Sequence, residues 1–505
     1  MFQAMRSEDA RPLGVRVSRS IILGLGTLWV SALTAYVPPH LGLTDPGRHA
    51  LFVLLTAASW WITNAVPAFA VSLAVIALQV ALLGDPNGDF AGGDVQRWQR
   101  FVAPWASPVM WLFLSGLVIA SAAARTGLDR RLAERVLRLA GTQASRVLLA
   151  IMAVTFGLSM FMSNTAATAL MIGLVLALPS VGAAPPSASA PSDSTPPSAS
   201  APADPTQPSP VSRSTPPSSS APELATALLL GIPVAANLGG MGTLIGSPPN
   251  AIAAAAIAGT PARLDFAAWM AYGLPPALLL GALTWRWIVR RYLRHAPPVP
   301  RDEAVATAPL TGRAIFVAAL FVGTVLLWLT EGLHGIPTAV VAVMPIAILA
   351  VSGVVRERDV RALPWDVLVL IAGGLSLGVG VSETGLAEWL VGRLPTDHLS
   401  PIRLAAILAC AALLLSTFIS NTAAATILTP LALALAHGEA RLVLVPLALA
   451  ASAAMSLPVS TPPNAMAFAT GRLAPSELRA IGLRLAVVAP TVAVGWTWLL
   501  ERALR

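Results

Sequence analysis

Long apolar runs alternate with short polar ones along this chain, and four of the apolar runs are interrupted. The runs lie at roughly 20–37, 50–63, 66–84, 107–124, 147–178, 224–258, 266–289, 313–330, 336–353, 366–382, 404–436, 442–470 and 482–500. The stretch Val147 to Leu178 would be about 48 Å long as one helix, too long for a hydrocarbon core of about 30 Å. Its arms on either side of Ser163-Asn164-Thr165 span about 24 and about 20 Å, each too short to cross. Two short arms with a polar tip predict a re-entrant helical hairpin over residues 145–179. Leu404 to Ala436 repeats the arrangement around Ser420-Asn421-Thr422 and predicts a second hairpin over 403–436, with Arg403 at its mouth where Arg146 stands in the first. The runs 224–258 and 442–470 are each cut by a Pro-Pro pair, in Gly246-Ser247-Pro248-Pro249-Asn250-Ala251 and Ser460-Thr461-Pro462-Pro463-Asn464-Ala465. Proline removes a backbone donor and disfavours helical geometry in the residue before it, so both runs should be broken helices with an unwound centre.

The two halves are therefore expected to be repeats. The spacing from Asn164 to Asn421 nearly equals that from Gly116 to Gly374, but that from Asn250 to Asn464 is shorter. The shortfall matches the Ser/Pro/Ala-rich segment 180–222, which has no aromatic residue and no apolar period. Such a composition cannot offset ordering entropy, and the segment reads as a disordered insert in the first repeat.

Composition fixes the class. Of 505 residues, 56% are hydrophobic and 11% charged, more apolar surface than a soluble core could use. An all-α polytopic membrane protein of about 11 transmembrane segments follows. The run Ile21 to Val37 lacks a small-residue cleavage pattern and reads as a retained first span rather than a signal peptide. The single cysteine, Cys410, excludes an intrachain disulfide and a thiolate metal cluster, and its apolar context predicts that it fills core space.

The net charge of +8 would point to nucleic acid in a soluble protein, but here the arginines sit in short loops between spans, a topology signal with no nucleic-acid partner implied. Arg6, Arg11, Arg16 and Arg19 precede the first span; Arg125, Arg130, Arg131, Arg135 and Arg138 precede the first hairpin; Arg286, Arg290, Arg291, Arg294 and Arg301 separate the halves. With alternating spans, all three clusters fall on the cytoplasmic side, and Asp85, Asp89 and Asp94 lie opposite. The first hairpin then enters from the cytoplasm and the second from outside, so the repeats are inverted. The expected order is a cytoplasmic N-terminus (1–19), the first span and first part of repeat one (20–179), the cytoplasmic insert (180–222), the rest of repeat one (223–295), an inter-repeat loop (296–312) and repeat two (313–505). The run 125–138 is spaced like an amphipathic interfacial helix that anchors at the membrane surface.

A hairpin tip is also the start of its second arm, and Ser, Asn and Thr are the residues that cap helix N-termini; the Pro-Pro-Asn elements likewise open helices. In an inverted repeat these ends converge near the midplane and aim N–H groups and positive dipole ends at one place, which suits an anion. The spans hold almost no Lys, Arg, Asp or Glu, with Asp366 and Glu383 at segment ends. Ser159, Ser163, Asn164 and the Gly246 carbonyl instead offer neutral oxygens to a hard cation such as sodium, which would offset part of the anion's charge. Alone, either tripeptide would read as packing glue and either Pro-Pro as a kink. Their duplication in one order argues for a site. An intramembrane hydrolase using Ser163 or Ser420 is disfavoured because no general base lies in the spans near either serine, and paired unwound elements suit alternating access better than a channel. His334 and His437 read as solvated loop residues.

These elements closely resemble the divalent anion/sodium symporter family, the dicarboxylate, citrate and sulfate carriers. The resemblance covers nearly the whole chain outside the insert: Trp60-Trp61-Ile62-Thr63-Asn64-Ala65-Val66-Pro67, both tripeptides, Gly239 to Asn250, Trp365-Asp366-Val367-Leu368 with Gly373-Gly374, and Leu457 to Phe468. It implies a homodimer in which each protomer carries a scaffold and an elevator-like transport domain. It further implies import of a small divalent anion, a C4-dicarboxylate first, with sodium as co-substrate and no other cofactor. A sodium-independent exchanger and a sulfate or citrate carrier of the same fold stay open. Carried over by position, the substrate contacts are Asn164, Thr165, Ser247, Asn421, Thr422, Thr461 and Pro462. The first sodium site falls on Ser159, Ser163, Asn164 and Gly246, the second on Ser416, Asn421 and carbonyls around Ile419 and Ser460. The chain departs from the family at Asn64, usually Glu, at Ser247, usually Thr, at Ser460, commonly a small apolar residue, and in its insert.

Overall fold

Every apolar run forms helix, and among the described residues no strand occurs. The computed structural model describes residues 13–37, 42–84, 98–178, 181, 221–296, 298–299, 309–393, 399–458 and 460–505. Nearly all of the Ser/Pro/Ala-rich insert, together with Asp85, Asp89 and Asp94, lies outside them. Seven described helices are long and apolar enough to cross a membrane, and shorter apolar ones accompany them, including three of the four hairpin arms.

The breaks fall where sequence places them. The first hairpin has arms Ala144–Ser159 and Asn164–Leu176, the second Pro401–Phe418 and Asn421–Leu435. The broken helices run Ala221–Met241 then Pro248–Ala256, and Ala440–Ser452 then Pro462–Ala469. Each Pro-Pro pair stands in the first turn of the shorter piece, where its missing N–H costs nothing.

Packing between halves is reciprocal. Helix Ala68–Leu83 of the first half packs on Trp365–Glu383 of the second, and Thr338–Val351 packs on Pro108–Thr126 in return. The first of these contacts is closed by small residues: a Cβ on Gly373 would lie 2.4 Å from the Ser72 Cβ, and Ser376 donates to Gln79 Oε1 at 2.6 Å. Close backbone approach through glycine is how apolar helices associate where lipid removes any hydrophobic drive. Within each half the long piece of the broken helix packs on the first hairpin arm. Helix Ala221–Met241 is almost wholly enclosed, with Leu228, Leu229 and Leu230 at 0% exposure.

One reading changes and one departure gains a reason. Cys410 is exposed on its hairpin arm and fills no core. Asn64, the departure just after the second apolar run, is the exposed C-cap of helix Asp45–Thr63 at φ 50°. Asn is the residue after Gly that tolerates this left-handed geometry, which accounts for it as a helix terminator.

Candidate functional site

The site is assembled by an exchange between halves. Helix Pro462–Ala469 of the second half packs on arm Asn164–Leu176 of the first, and Pro248–Ala256 packs on arm Asn421–Leu435. Each half thus sets its short proline-started helix against the other half's hairpin. Four helix N-termini belong to this group, and their partial positive ends are what an anion requires. Ser163 and Ser420 cap the two arms by accepting from the N–H of Ala166 at 3.2 Å and of Ala423 at 3.1 Å. Thr461 caps its helix by accepting from the Asn464 N–H at 3.4 Å. Ser247 makes no such cap; its Oγ lies 3.1 Å from Ser452 Oγ instead.

Around the first tip, oxygens crowd together. Ser159 Oγ is 2.6 Å from Asn164 Oδ1 and 2.7 Å from the Ala236 carbonyl. One hydroxyl proton serves only one of these acceptors, so the cluster is rich in lone pairs and suited to a cation. Asn164 and the Gly246 carbonyl meet across Gly240, where a Cβ would lie 2.8 Å from Asn164 Oδ1 and 2.9 Å from Gly246 O. Three of the four residues expected to hold the first sodium are therefore gathered by side chain or carbonyl. Ser163 stands beside them, and its hydroxyl, which gives one lone pair to the cap just described, keeps a second.

The equivalent positions in the second half are unpaired. Ser416 Oγ and Asn421 Oδ1 are buried with no hydrogen-bond partner. Buried polar atoms without partners are uncommon and costly, and two oxygens in this state at the pseudo-equivalents of Ser159 and Asn164 fit a second cation position. Ile419 ends its arm in extended backbone, φ −123° and ψ 177°, as an unwound carbonyl donor requires. Beside the Ser460 carbonyl expected at this position, the Ser460 hydroxyl donates to the Thr417 carbonyl at 3.0 Å and accepts from the Leu457 N–H at 3.2 Å. It braces the second break against the second hairpin.

Thr165 and Pro462 are exposed, whereas Thr422, Thr461 and Ser247 are buried. Thr165, Ala166 and Ala169 on one helix and Pro462, Ala465 and Phe468 on its neighbour are exposed beside the tips.

Three asparagines complete the site, and sequence assigned none of them a role. Asn250, fully buried, donates to the carbonyls of Gly240 at 2.8 Å and Thr243 at 2.7 Å. Asn464, its counterpart, donates to Met455 and Leu457, both at 3.1 Å. Each amide satisfies carbonyls that its unwound segment cannot pair, so the Pro-Pro-Asn motif is a break with its own splint. Asn237 joins the halves: its Nδ2 donates to Thr461 Oγ1 at 3.2 Å and to Asn464 Oδ1 at 3.4 Å. Its only sequence signal is being the one amide inside the run from Leu224 to Met241.

Hairpins, splinted breaks and an exchange of helices between halves define a transport protein of the membrane. The chain belongs to the sodium:sulfate symporter family, whose transmembrane region matches residues 20–501. A sodium-dependent dicarboxylate transporter of Staphylococcus saprophyticus, SdcS, is 30% identical over 503 residues, covering 94% of this chain and 89% of that protein. Its namesake in Staphylococcus aureus strain USA300 is 29% identical over 518 residues, covering 97% and 92%. Among solved structures, the Alcanivorax borkumensis YdaH transporter, described as having an unusual topology, aligns over 86% of this chain and 98% of its own at 16% identity and a TM-score of 0.50. That likeness concerns the fold alone.

Proposed function

We propose that this protein imports a small dicarboxylate, of C4 size, together with sodium, by alternating access in which the hairpin-bearing part moves against a scaffold within a homodimer. The single observation that carries the reading is the double placement of Asn164. It is the first residue of an arm whose N-terminus faces the anion position, and its Oδ1 belongs to the oxygen cluster with Ser159. An anion drawn to the helix end and a cation drawn to the cluster would each raise the occupancy of the other, which is coupling in thermodynamic terms. The names of the staphylococcal relatives support sodium and a dicarboxylate as the co-transported pair.

The test is uptake of labelled succinate, citrate and sulfate into proteoliposomes with and without an inward sodium gradient. Succinate accumulation that needs the gradient supports the reading. Succinate flux that ignores sodium and depends on a dicarboxylate inside would replace it with exchange.

A further inference from the structure

Helix Leu128–Leu139 links the span Pro108–Thr126 to the first hairpin and carries Arg130 and Arg131 in its first turns and Arg135 and Arg138 in its last. Arg130 pairs with Glu134 at 2.8 Å. Asp129 is buried, which pushes its carboxyl pKa up, while it accepts from the Arg130 N–H at 2.7 Å. Arg131, Arg135 and Arg138 recur at helical spacing and so share a face. With Leu128, Leu132 and Leu139 they line an open cavity of about 560 Å³, closed on its other side by Pro309 and Leu310, just before helix Gly312–Leu329. Nη1 of Arg131 is buried there without a hydrogen-bond partner. Leu132 and Leu139 are 51% and 82% exposed beside it.

We propose that this cavity is a binding site for an anionic phospholipid, Arg131 and Arg135 holding the headgroup phosphate and the exposed leucines lying along the acyl chains. Guanidinium forks match phosphate oxygens bidentately, and an unpaired buried guanidinium nitrogen calls for such an acceptor. The amphipathic helix lies where a membrane-surface element belongs, between the ends of two apolar helices, and basic pockets in that position recognise lipid headgroups. Lipid rather than free phosphate is favoured because the cationic face is continuous with exposed leucines.

Native mass spectrometry of the purified full chain, titrated with palmitoyl-oleoyl phosphatidylglycerol, tests this. Arg131→Gln/Arg135→Gln should weaken retention of the lipid about tenfold, the order that two cations near an anionic headgroup supply. Arg290→Gln/Arg294→Gln, which removes the same charge elsewhere, should leave retention unchanged. Phosphatidylcholine should not compete, nor should inorganic phosphate. Equal loss in both double variants would reduce the effect to diffuse surface attraction, and displacement by inorganic phosphate would make the site one for a free anion; either result overturns the proposal. Should the glutamine pair fold poorly, Arg131→Lys/Arg135→Lys keeps charge but loses the fork, and undiminished lipid retention there would equally refute it.

Discussion

Gly240 and Asn164 leave no space for a side chain between them: a Cβ on Gly240 would stand 2.8 Å from Asn164 Oδ1 and 3.0 Å from its Nδ2. Overpacking of this kind costs about 1–3 kcal/mol or displaces the neighbour. Gly240→Ala is expected to push Asn164 out of the oxygen cluster and raise the sodium concentration for half-maximal uptake severalfold. Gly157→Ala, where nothing lies within 4 Å, is the matched control and should leave sodium dependence unchanged. Identical sodium curves for both variants would remove Asn164 from the cation site.

Asn164 and Asn421 occupy equivalent tips but differ in bonding. Asn164 Oδ1 accepts from Ser159, whereas Asn421 Oδ1 is buried and unpaired. Both Asn164→Ala and Asn421→Ala should abolish uptake. In sodium-free buffer, Asn421→Ala should melt no lower than the wild type, because it discards an unsatisfied acceptor whose burial costs about 1–3 kcal/mol. Near-normal transport by either purified variant would sink the site assignment.

Ser159 and Ser416 each sit about one helical turn before a tip. Removing Ser159 Oγ takes away a made hydrogen bond, worth about 1 kcal/mol of stability, while Ser416 Oγ makes none. Ser159→Ala should therefore lower thermal stability more than Ser416→Ala, yet both should raise the sodium requirement more than they weaken anion affinity. Parallel melting curves and sodium titrations of uptake separate the two effects.

Asn237 ties the first broken helix to the start of the second through Thr461 and Asn464. Asn237→Ala should loosen Thr461 and weaken substrate affinity by about tenfold, the equivalent of about 1.4 kcal/mol. Thr461→Val should do the same, and the double variant should add little, since neighbours that share one hydrogen bond are not additive. Fully additive losses in a double-mutant cycle of uptake would mean that the two residues act separately.

Asp359 accepts from the backbone N–H of Arg356 at 2.8 Å and pairs with Arg125, and these interactions, the backbone bond first, hold its pKa below the ordinary carboxylate range. A lowered folded-state pKa means that the contribution is complete above about pH 4, the unfolded value, and is lost as pH falls through the lower folded value. Asp359→Asn should accordingly lower the melting temperature near neutral pH, with the gap to wild type closing as the medium is acidified below about pH 4. A gap that persists unchanged in acid would assign the loss to packing rather than charge.

Run length, proline position and duplicated polar tips are local properties, and they were enough to locate both hairpins, both unwound segments and the tip residues Asn164 and Asn421. A helix too long or too short for the membrane, or one cut by Pro-Pro, is legible without any partner. Tertiary structure alone decided which ends meet. The short helix of one half packs on the hairpin of the other, a pairing of segments far apart in the chain that no periodicity within either segment encodes. It also decided which hydroxyls remain free. Ser163 and Ser460 carry the same chemistry as Ser159 and Ser416, yet the first pair each give one lone pair to a cap or a brace, while Ser416 has no partner and Ser159 faces more acceptors than its proton can serve. Asn237, Asn250 and Asn464 went unassigned for the same reason: an amide's role depends on which carbonyls lose their helical partners in the folded chain, and only the assembled breaks show which those are.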